Sequence, residues 1–218
     1  MPILDEPNRG DATRQALIAT ATDVFAHSGY DGVSTRAIAR AAGINQALIS
    51  YHFGSKEGLY LAVFEAIAEA LNEKISPLAS SMEKLFTGQG QPRSQYLQAF
   101  EQLASAMVDL MVSPQTAHWS QLVLREQQHP TKAFDVLYDR FMGRLLGLMT
   151  QLIQRLRPTL SETDARLLML TLLGQVLVWR FARTSVERQM GWHDLDPDAI
   201  KARLFTNLRL LLEGDSSC

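Results

Sequence analysis

One segment, residues 34–56, gathers side chains whose chemistry suits contact with nucleic acid. It has no acidic residue, and its basic residues are Arg36, Arg40 and Lys56. In the major groove of DNA, arginine bonds bidentately to guanine and glutamine to adenine, so Arg36 and Gln46 are candidates for base contacts. Hydrogen-bond donors that suit phosphate oxygens follow at Ser50, Tyr51 and His52. A chain whose net charge is −2 therefore contains a local segment of charge +3 that is suited to DNA.

The residues around this segment predict two short helices joined by a tight turn. Ser34 or Thr35 is a suitable N-cap for the first helix, and Asn45 is one for the second. A support helix precedes the pair, and a fourth helix is expected over residues 56–75, with a break or kink at Pro77. The arrangement is typical of the helix-turn-helix unit, whose second helix enters the major groove. Because a plain packing corner has the same glycine turn, the turn alone does not decide the function.

Two stretches of this segment carry the motifs of a known family. Residues 35–44 have the sequence TRAIARAAGI, and residues 49–59 have the sequence ISYHFGSKEGL. The chain resembles the TetR family of bacterial transcription regulators in three features, which are the glycine turn, the His-Phe pair and the Ser-Lys-Glu cap. The resemblance implies an all-α dimer with an N-terminal helix-turn-helix domain that binds a palindromic operator. It also implies that a small ligand in the C-terminal domain releases the DNA.

The same resemblance assigns DNA contacts by position. The residues that it places on phosphates are Thr35, Tyr51, His52 and Lys56. The residues that it places against bases are Arg36, Gln46, Ala47 and Leu48. Ser50 joins the phosphate contacts because its hydroxyl is a donor.

Beyond residue 92 the periodicity of apolar residues predicts helices alone, separated by proline junctions. We expect them at about 93–112, 115–128, 131–157, 161–190 and 197–213. Residues 167–179 are apolar on all sides of their helix, so several surfaces must cover it. A symmetric partner is the simplest cover, and a central place in a monomeric bundle is the alternative. The predicted dimer contacts are Leu167, Leu170, Gly174, Val178, Leu204, Leu208 and Leu211.

Several short motifs in this half resemble the CecR-type branch of the TetR family. They are LREQQHPT at 124–131, the Gly-Gln pair at 174–175, WRFAR at 179–183 and MGW at 190–192. The resemblance implies a ligand-sensing domain and, loosely, control of membrane-transport genes, and it does not name the ligand.

Two groups of polar and aromatic side chains on these helices are candidates for an effector pocket, because such pockets are mostly apolar with a few fixed polar groups. The first group is His118, Trp119, Arg125 and Glu126, and the second is Gln175, Trp179 and Arg180. Each group has a structural alternative. Arg125 and Glu126 also suit ion pairs between helices, and Arg180 suits a pair at a dimer interface.

The composition and the absence of catalytic and metal-binding motifs limit the classes of protein to which the chain can belong. Of 218 residues, 46% are hydrophobic and 20% are charged, which suits a globular core. The single cysteine, Cys218, excludes a disulfide framework, and the five histidines lack metal-ligand spacing. Because no P-loop, GxGxxG, GxSxG or HExxH motif occurs, we predict no cofactor, no metal and no enzyme activity. The chain has no signal sequence and no apolar run of membrane-spanning length, so a cytoplasmic location is expected.

These observations predict three parts of the chain. They are a disordered arm at 1–11, a helix-turn-helix DNA-binding domain at 12–56, and a ligand-binding and dimerisation domain at 57–218, linked by helix 56–75. The predicted partners are double-stranded operator DNA, a small-molecule effector and a second copy of the chain, with no membrane. Two other hypotheses stay open from the sequence. One is an enzyme or ligand-binding bundle whose N-terminal helices only pack, and the other is a regulator that has lost its ligand and represses or activates constitutively.

Overall fold

The computed structural model describes residues 9–88 and 90–213, and all regular structure in these residues is helical. The longer helices are α1 (Arg9–Ser28), α4 (Lys56–Thr87), α5 (Arg93–Val112), α6 (Ala117–Gln128), α8 (Gly143–Leu156), α9 (Glu162–Phe181) and α11 (Pro197–Glu213). The shorter ones are α2 (Thr35–Ala41), α3 (Ala47–Phe53), α7 (Lys132–Leu137) and α10 (Arg183–Met190). A 3-10 turn occupies Pro114–Thr116, and a π turn occupies Tyr138–Met142. The predicted all-α fold is confirmed.

Residues 9–11 of the predicted arm belong to a helix. Helix α1 begins at Arg9, and Asp11 lies in its first turn, where an acidic side chain favours the positive end of the helix dipole. The rest of the predicted arm, residues 1–8, lies outside the described residues, as does Cys218.

Two compact units make up the described chain. The first contains residues 9–70 and 118–140, and the second contains 71–88, 90–117 and 141–213. The sequence analysis places 57–70 and 118–140 with the C-terminal domain, whereas the structure packs them with the helix-turn-helix. The reason is hydrophobic: Leu122 of α6 and Leu137 of α7 are fully buried in the first unit.

The core of the first unit is built around α1 and the start of α4. Its fully buried side chains include Leu17, Phe25, Ile38, Ile49, Leu59 and Phe64. The Tyr60 ring lies 5.0 Å from that of Phe25, 4.9 Å from that of Tyr30 and 5.1 Å from that of Phe64. This aromatic cluster fixes the start of α4 against α1, because tilted and edge-on ring pairs at such distances are attractive.

The second unit is a helical bundle in which α5 contacts α8, α9 and α11. Its buried side chains include Phe100, Leu103, Leu152, Ile153, Leu172 and Leu212. Helix α8 has the clearest apolar face, because its buried residues recur at spacings of three and four from Leu145 to Leu156.

Three predicted helices differ from the observed ones. Helix α4 continues through Pro77 to Thr87, so the expected break at Pro77 is wrong, and the alternative of a kink there stays a prediction. The predicted helix 131–157 is interrupted by the π turn between α7 and α8. The predicted helix 161–190 is two helices, α9 and α10, whose axes bend by 83° around Ala182.

Among the described helices, none by itself has the length and apolarity to cross a bilayer, and only the bent pair α9 and α10 reaches those thresholds when the two are taken together.

Candidate DNA-binding surface

Local hydrogen bonds define the ends of the two short helices. The Ser34 hydroxyl accepts a hydrogen bond from the Ala37 backbone N–H at 3.2 Å, so Ser34 is the N-cap of α2. The Asn45 side chain accepts from the Ala47 N–H at 2.9 Å and caps the start of α3. Between the two helices, Gly43 has a φ of 67°, a conformation that favours glycine. The predicted caps and turn are therefore present where the sequence places them.

Helix α3 presents one exposed face. Gln46, Ala47, Ser50 and Tyr51 are exposed there, and Tyr51 is exposed to 81%. Ile49 on the opposite side is buried and anchors the helix to the core. Because these exposed positions are spaced by one, three and four residues, they share one side of the helix.

The other predicted contact residues of this helix are half-buried. They are Leu48 and His52, and the His52 ring lies between those of Tyr51 and Phe53, with centroids 4.9 Å and 6.0 Å away. Their remaining exposure leaves both residues able to touch DNA at the margin of the face.

Arg36 at the start of α2 is exposed, whereas Thr35 is half-buried. The side-chain amide of Gln46 donates to the Thr35 hydroxyl oxygen at 2.9 Å, so the start of α2 and the start of α3 are joined directly.

Two cations are held against aromatic rings at the edges of this surface. Lys56 at the start of α4 has its Nζ 4.3 Å from the centre of the Tyr30 ring. Arg14 of α1 has its guanidinium carbon 5.4 Å from the centre of the Phe53 ring, at the end of α3. The sequence analysis did not single out Arg14, because nothing in the local pattern of α1 connects it to a residue so far along the chain. Arg36 and Arg40 of α2 are exposed as well, and with Lys56 they give residues 34–56 their positive charge.

The first group of candidate effector residues lies in the first unit and is engaged in its packing. His118 Nδ1 lies 2.6 Å from a carboxylate oxygen of Asp23. Arg125 donates to the Ala26 carbonyl at 3.4 Å, near the end of α1. Trp119 is half-buried on the same helix.

Glu126 is the most enclosed of this group and is 3% exposed. One of its oxygens accepts from the Tyr60 hydroxyl at 2.9 Å. The other accepts from the backbone N–H and the hydroxyl of Thr131, at 2.8 Å and 2.9 Å. Glu126 therefore joins the corner between α6 and α7 to the start of α4, and it forms no direct pair with Arg125.

The second group lies in the second unit. Arg180 donates through one terminal nitrogen to the carbonyls of Leu110 and Ser113 and to the Thr116 hydroxyl. Its Nε is buried and has no hydrogen-bond partner among the described residues. Burial, and then the nearby Arg183, lowers the pKa of the Arg180 guanidinium. Gln175 accepts a hydrogen bond from Asn207 at 3.0 Å, and Trp179 is half-buried nearby along α9.

The predicted dimer contacts fall into two sets. Leu167, Leu170, Gly174 and Val178 are exposed along one side of α9, and Leu211 of α11 is also exposed. Leu204 and Leu208 are buried inside the second unit, so their prediction as surface contacts is wrong. They belong to the inward stripe of α11, which continues to Leu212 rather than to Leu211.

The fold and this surface are those of a helix-turn-helix transcription regulator. Residues 17–63 match the family described as bacterial regulatory proteins of the tetR family. Residues 92–214 match the C-terminal domain of the HTH-type transcriptional dual regulator CecR. The chain belongs to the TetR family of regulators and carries a CecR-type C-terminal domain.

Individual relatives agree with this assignment. CecR of Shigella flexneri is 30% identical over 94% of this chain and 94% of its own. RutR of Escherichia coli strain K12 is 33% identical over 44% of this chain and 50% of its own. The structure of a TetR-like regulator from Rhodococcus sp. RHA1 superimposes with a TM-score of 0.64 at 22% identity, covering 96% of this chain and 100% of that one. The structure of AibR in complex with isovaleryl coenzyme A and operator DNA has a TM-score of 0.66 at 14% identity, covering 92% and 98%.

Proposed function

We propose that this chain is a repressor that binds a palindromic operator as a homodimer and releases it when a small-molecule effector binds. The observation that carries the proposal is the exposed face of α3, with Gln46, Ser50 and Tyr51 outward and Ile49 anchored inward. A positively charged rim next to such a face suits the phosphate backbone, while the face itself suits base edges. The protein acts in the cytoplasm, where its operator is accessible.

Homodimer formation is supported by the exposed side of α9. Leu167 is 57% exposed and Leu170 is 53% exposed, and Val178 and Phe181 continue the same face. A contiguous row of large apolar side chains on a surface marks an interaction site. A second copy is the simplest partner because two-fold symmetry in the protein matches two half-sites in a palindrome.

Effector binding is supported by the unsatisfied Nε of Arg180. A buried donor without a partner costs about 1–3 kcal/mol, and a carbonyl or carboxylate oxygen of a ligand would remove that cost. We propose that Gln175, Trp179 and Arg180 contact the effector. We keep His118, Trp119, Arg125 and Glu126 as a separate candidate group within the first unit, where hydrogen bonds already hold three of them.

A mobility-shift assay with the DNA upstream of the protein's own gene tests repressor binding. We expect a discrete complex with that fragment and none with a random fragment of equal length. Equal binding to both fragments would contradict operator recognition.

Release by an effector is tested in the same assay with a panel of small molecules. An active compound should dissociate the complex, and Arg180→Met should raise the concentration needed without changing operator affinity. The relative CecR is named a dual regulator, and a transcription assay with the purified chain therefore also decides between repression and activation.

A further inference from the structure

The side-chain amide of Gln46 does not cap helix α3. Asn45, rather than Gln46, accepts the hydrogen bond at the start of α3. Gln46 instead reaches 11 residues back, and its Nε2 donates to the Thr35 hydroxyl oxygen at 2.9 Å. Neither its other N–H nor its Oε1 has a further hydrogen bond within the described residues, and the residue is exposed with Ala47, Ser50 and Tyr51 on the outward face of α3.

The Thr35 hydroxyl does not cap a helix either, because the Ser34 hydroxyl caps α2. A threonine hydroxyl has one proton to donate and can also accept. Since its oxygen accepts from Gln46, its own proton remains for another acceptor, and the hydroxyl has no second hydrogen bond in the described part of the chain. Phosphate oxygens only accept, so a phosphate beside Thr35 would take this proton.

The hydrogen bond to Thr35 and the free proton of the Thr35 hydroxyl together determine which way round the Gln46 amide lies. When a phosphate takes the Thr35 proton, the hydroxyl can only accept, so Gln46 must turn an N–H towards it. The groups left for a base are then one N–H and one carbonyl oxygen. That pair complements adenine, which offers N7 as an acceptor and N6–H as a donor, whereas guanine offers two acceptors, N7 and O6.

We propose that Thr35 is a positioning residue that makes Gln46 specific for adenine over guanine. An unrestrained glutamine amide can turn both N–H groups towards guanine, and the bond to Thr35 withholds one of them. The inference rests on the proposed binding of operator DNA, and it adds the residue that enforces the adenine preference of Gln46.

The test begins with the full-length protein and a pool of double-stranded DNA that contains a randomised stretch. Sequences enriched by the wild-type protein define the operator, and binding is then measured with each base pair substituted in turn. We expect one A·T pair per half-site at which guanine in place of adenine weakens binding by roughly 5- to 150-fold, the range for one bidentate contact. Gln46→Ala should abolish that preference and no other.

Thr35→Val is the decisive variant, because valine has nearly the same shape and no hydroxyl. It should weaken binding to all sequences through the lost phosphate contact and, in addition, reduce the adenine-to-guanine ratio at the Gln46 position to near one. Thr35→Ser keeps the hydroxyl and should restore the ratio. Thr35→Val combined with Gln46→Ala should have the same ratio as Gln46→Ala alone.

Two results would overturn the inference in distinguishable ways. If Thr35→Val weakens binding but keeps the full ratio at each position, Thr35 contacts phosphate only and does not position Gln46. If the wild-type chain enriches no sequence from the pool, the proposed operator binding itself fails. Circular dichroism of each variant identifies any loss of helix.

Discussion

Lys56 is the residue for which we propose a single contact with a DNA phosphate. Its ammonium group is held over the Tyr30 ring at the start of α4, so the cation is already in place before DNA binds. Lys56→Ala should weaken binding to all sequences alike and reduce the slope of log K against log salt by about one. Arg36→Ala should instead cost roughly 1–3 kcal/mol and relax the preference at one base pair.

The matched control for Lys56 is Lys84→Ala, because Lys84 is an exposed lysine near the other end of α4. It should leave both affinity and salt dependence unchanged. A sequence-selective effect of Lys56→Ala, or an equal loss on operator and random DNA with Arg36→Ala, would reverse the assigned roles.

The hydrogen bond between Tyr60 and Glu126 is a second contact of single residues, and its loss should measurably lower the free energy of unfolding. Tyr60→Phe removes one of three donors to a buried carboxylate, and a missing partner costs about 1–3 kcal/mol in unfolding free energy. Urea unfolding at neutral pH measures the loss. Tyr138→Phe is the control because Tyr138 is exposed, and an equal loss there would show that Tyr60 has no special role.

The same pair gives a pH dependence with a definite sign. Burial, followed by the hydrogen bond to Glu126, raises the pKa of the Tyr60 phenol above its ordinary value of 10.0. The folded state then holds the phenolic proton more tightly than the unfolded state. Its contribution to stability is complete below pH 10 and is lost as the pH rises from there towards the folded pKa. Wild-type stability should therefore fall more steeply than that of Tyr60→Phe above pH 10, and parallel curves would contradict the linkage.

At the scale of helices, the sequence predicts the elements with local signals and misses those set by distant contacts. Ser34, Gly43 and Asn45 act within a few residues of themselves, so the ends of α2 and α3 follow from the sequence. The packing of α6 and α7 on the helix-turn-helix does not, because Tyr60 and Glu126 meet across 66 positions. The row of Leu204, Leu208 and Leu212 is apolar in the sequence, and only the structure shows which neighbours cover it.

Helix α4 contains a proline that lowers the stability of the helix. Pro77 lies inside the helix, where it lacks an N–H and its ring crowds the carbonyl four residues earlier. Pro77→Ala supplies the missing N–H, so the helix can form the hydrogen bond to the carbonyl four residues earlier. The substitution should therefore raise the unfolding free energy, by up to about 3 kcal/mol. The neighbouring exposed Ser76→Ala controls for helix propensity alone. Thermal unfolding of both variants measures the difference, and a lower melting temperature for Pro77→Ala would indicate that the fold depends on the proline.

For the whole molecule, the proposed homodimer rests on the exposed apolar side of α9. Apart from the neighbouring backbone of α9 itself, no described heavy atom lies within 4 Å of the position of a Cβ at Gly174. Gly174→Glu therefore fits the folded protomer, and glutamate is a better helix former than glycine. In the proposed dimer the added charge would be buried against a second copy. We expect a monomer by light scattering, together with weakened operator binding.

Gln102→Glu adds the same charge at an exposed position of α5 and should leave the dimer intact. A wild-type protein that is monomeric at micromolar concentration would remove the basis of this prediction.

The division of the chain into units has a consequence for the construction of hybrid regulators. A recombinant that joins residues 9–70 of this protein to the sensor of a relative replaces 118–140 and, with it, the acceptor of the Tyr60 hydroxyl. In such a hybrid the Tyr60 hydroxyl loses its acceptor inside the aromatic cluster that packs the start of α4 against α1. A functional exchange must transplant two separate pieces of sequence as one module, so the useful crossover points lie near 70, 118 and 140 rather than at a single junction.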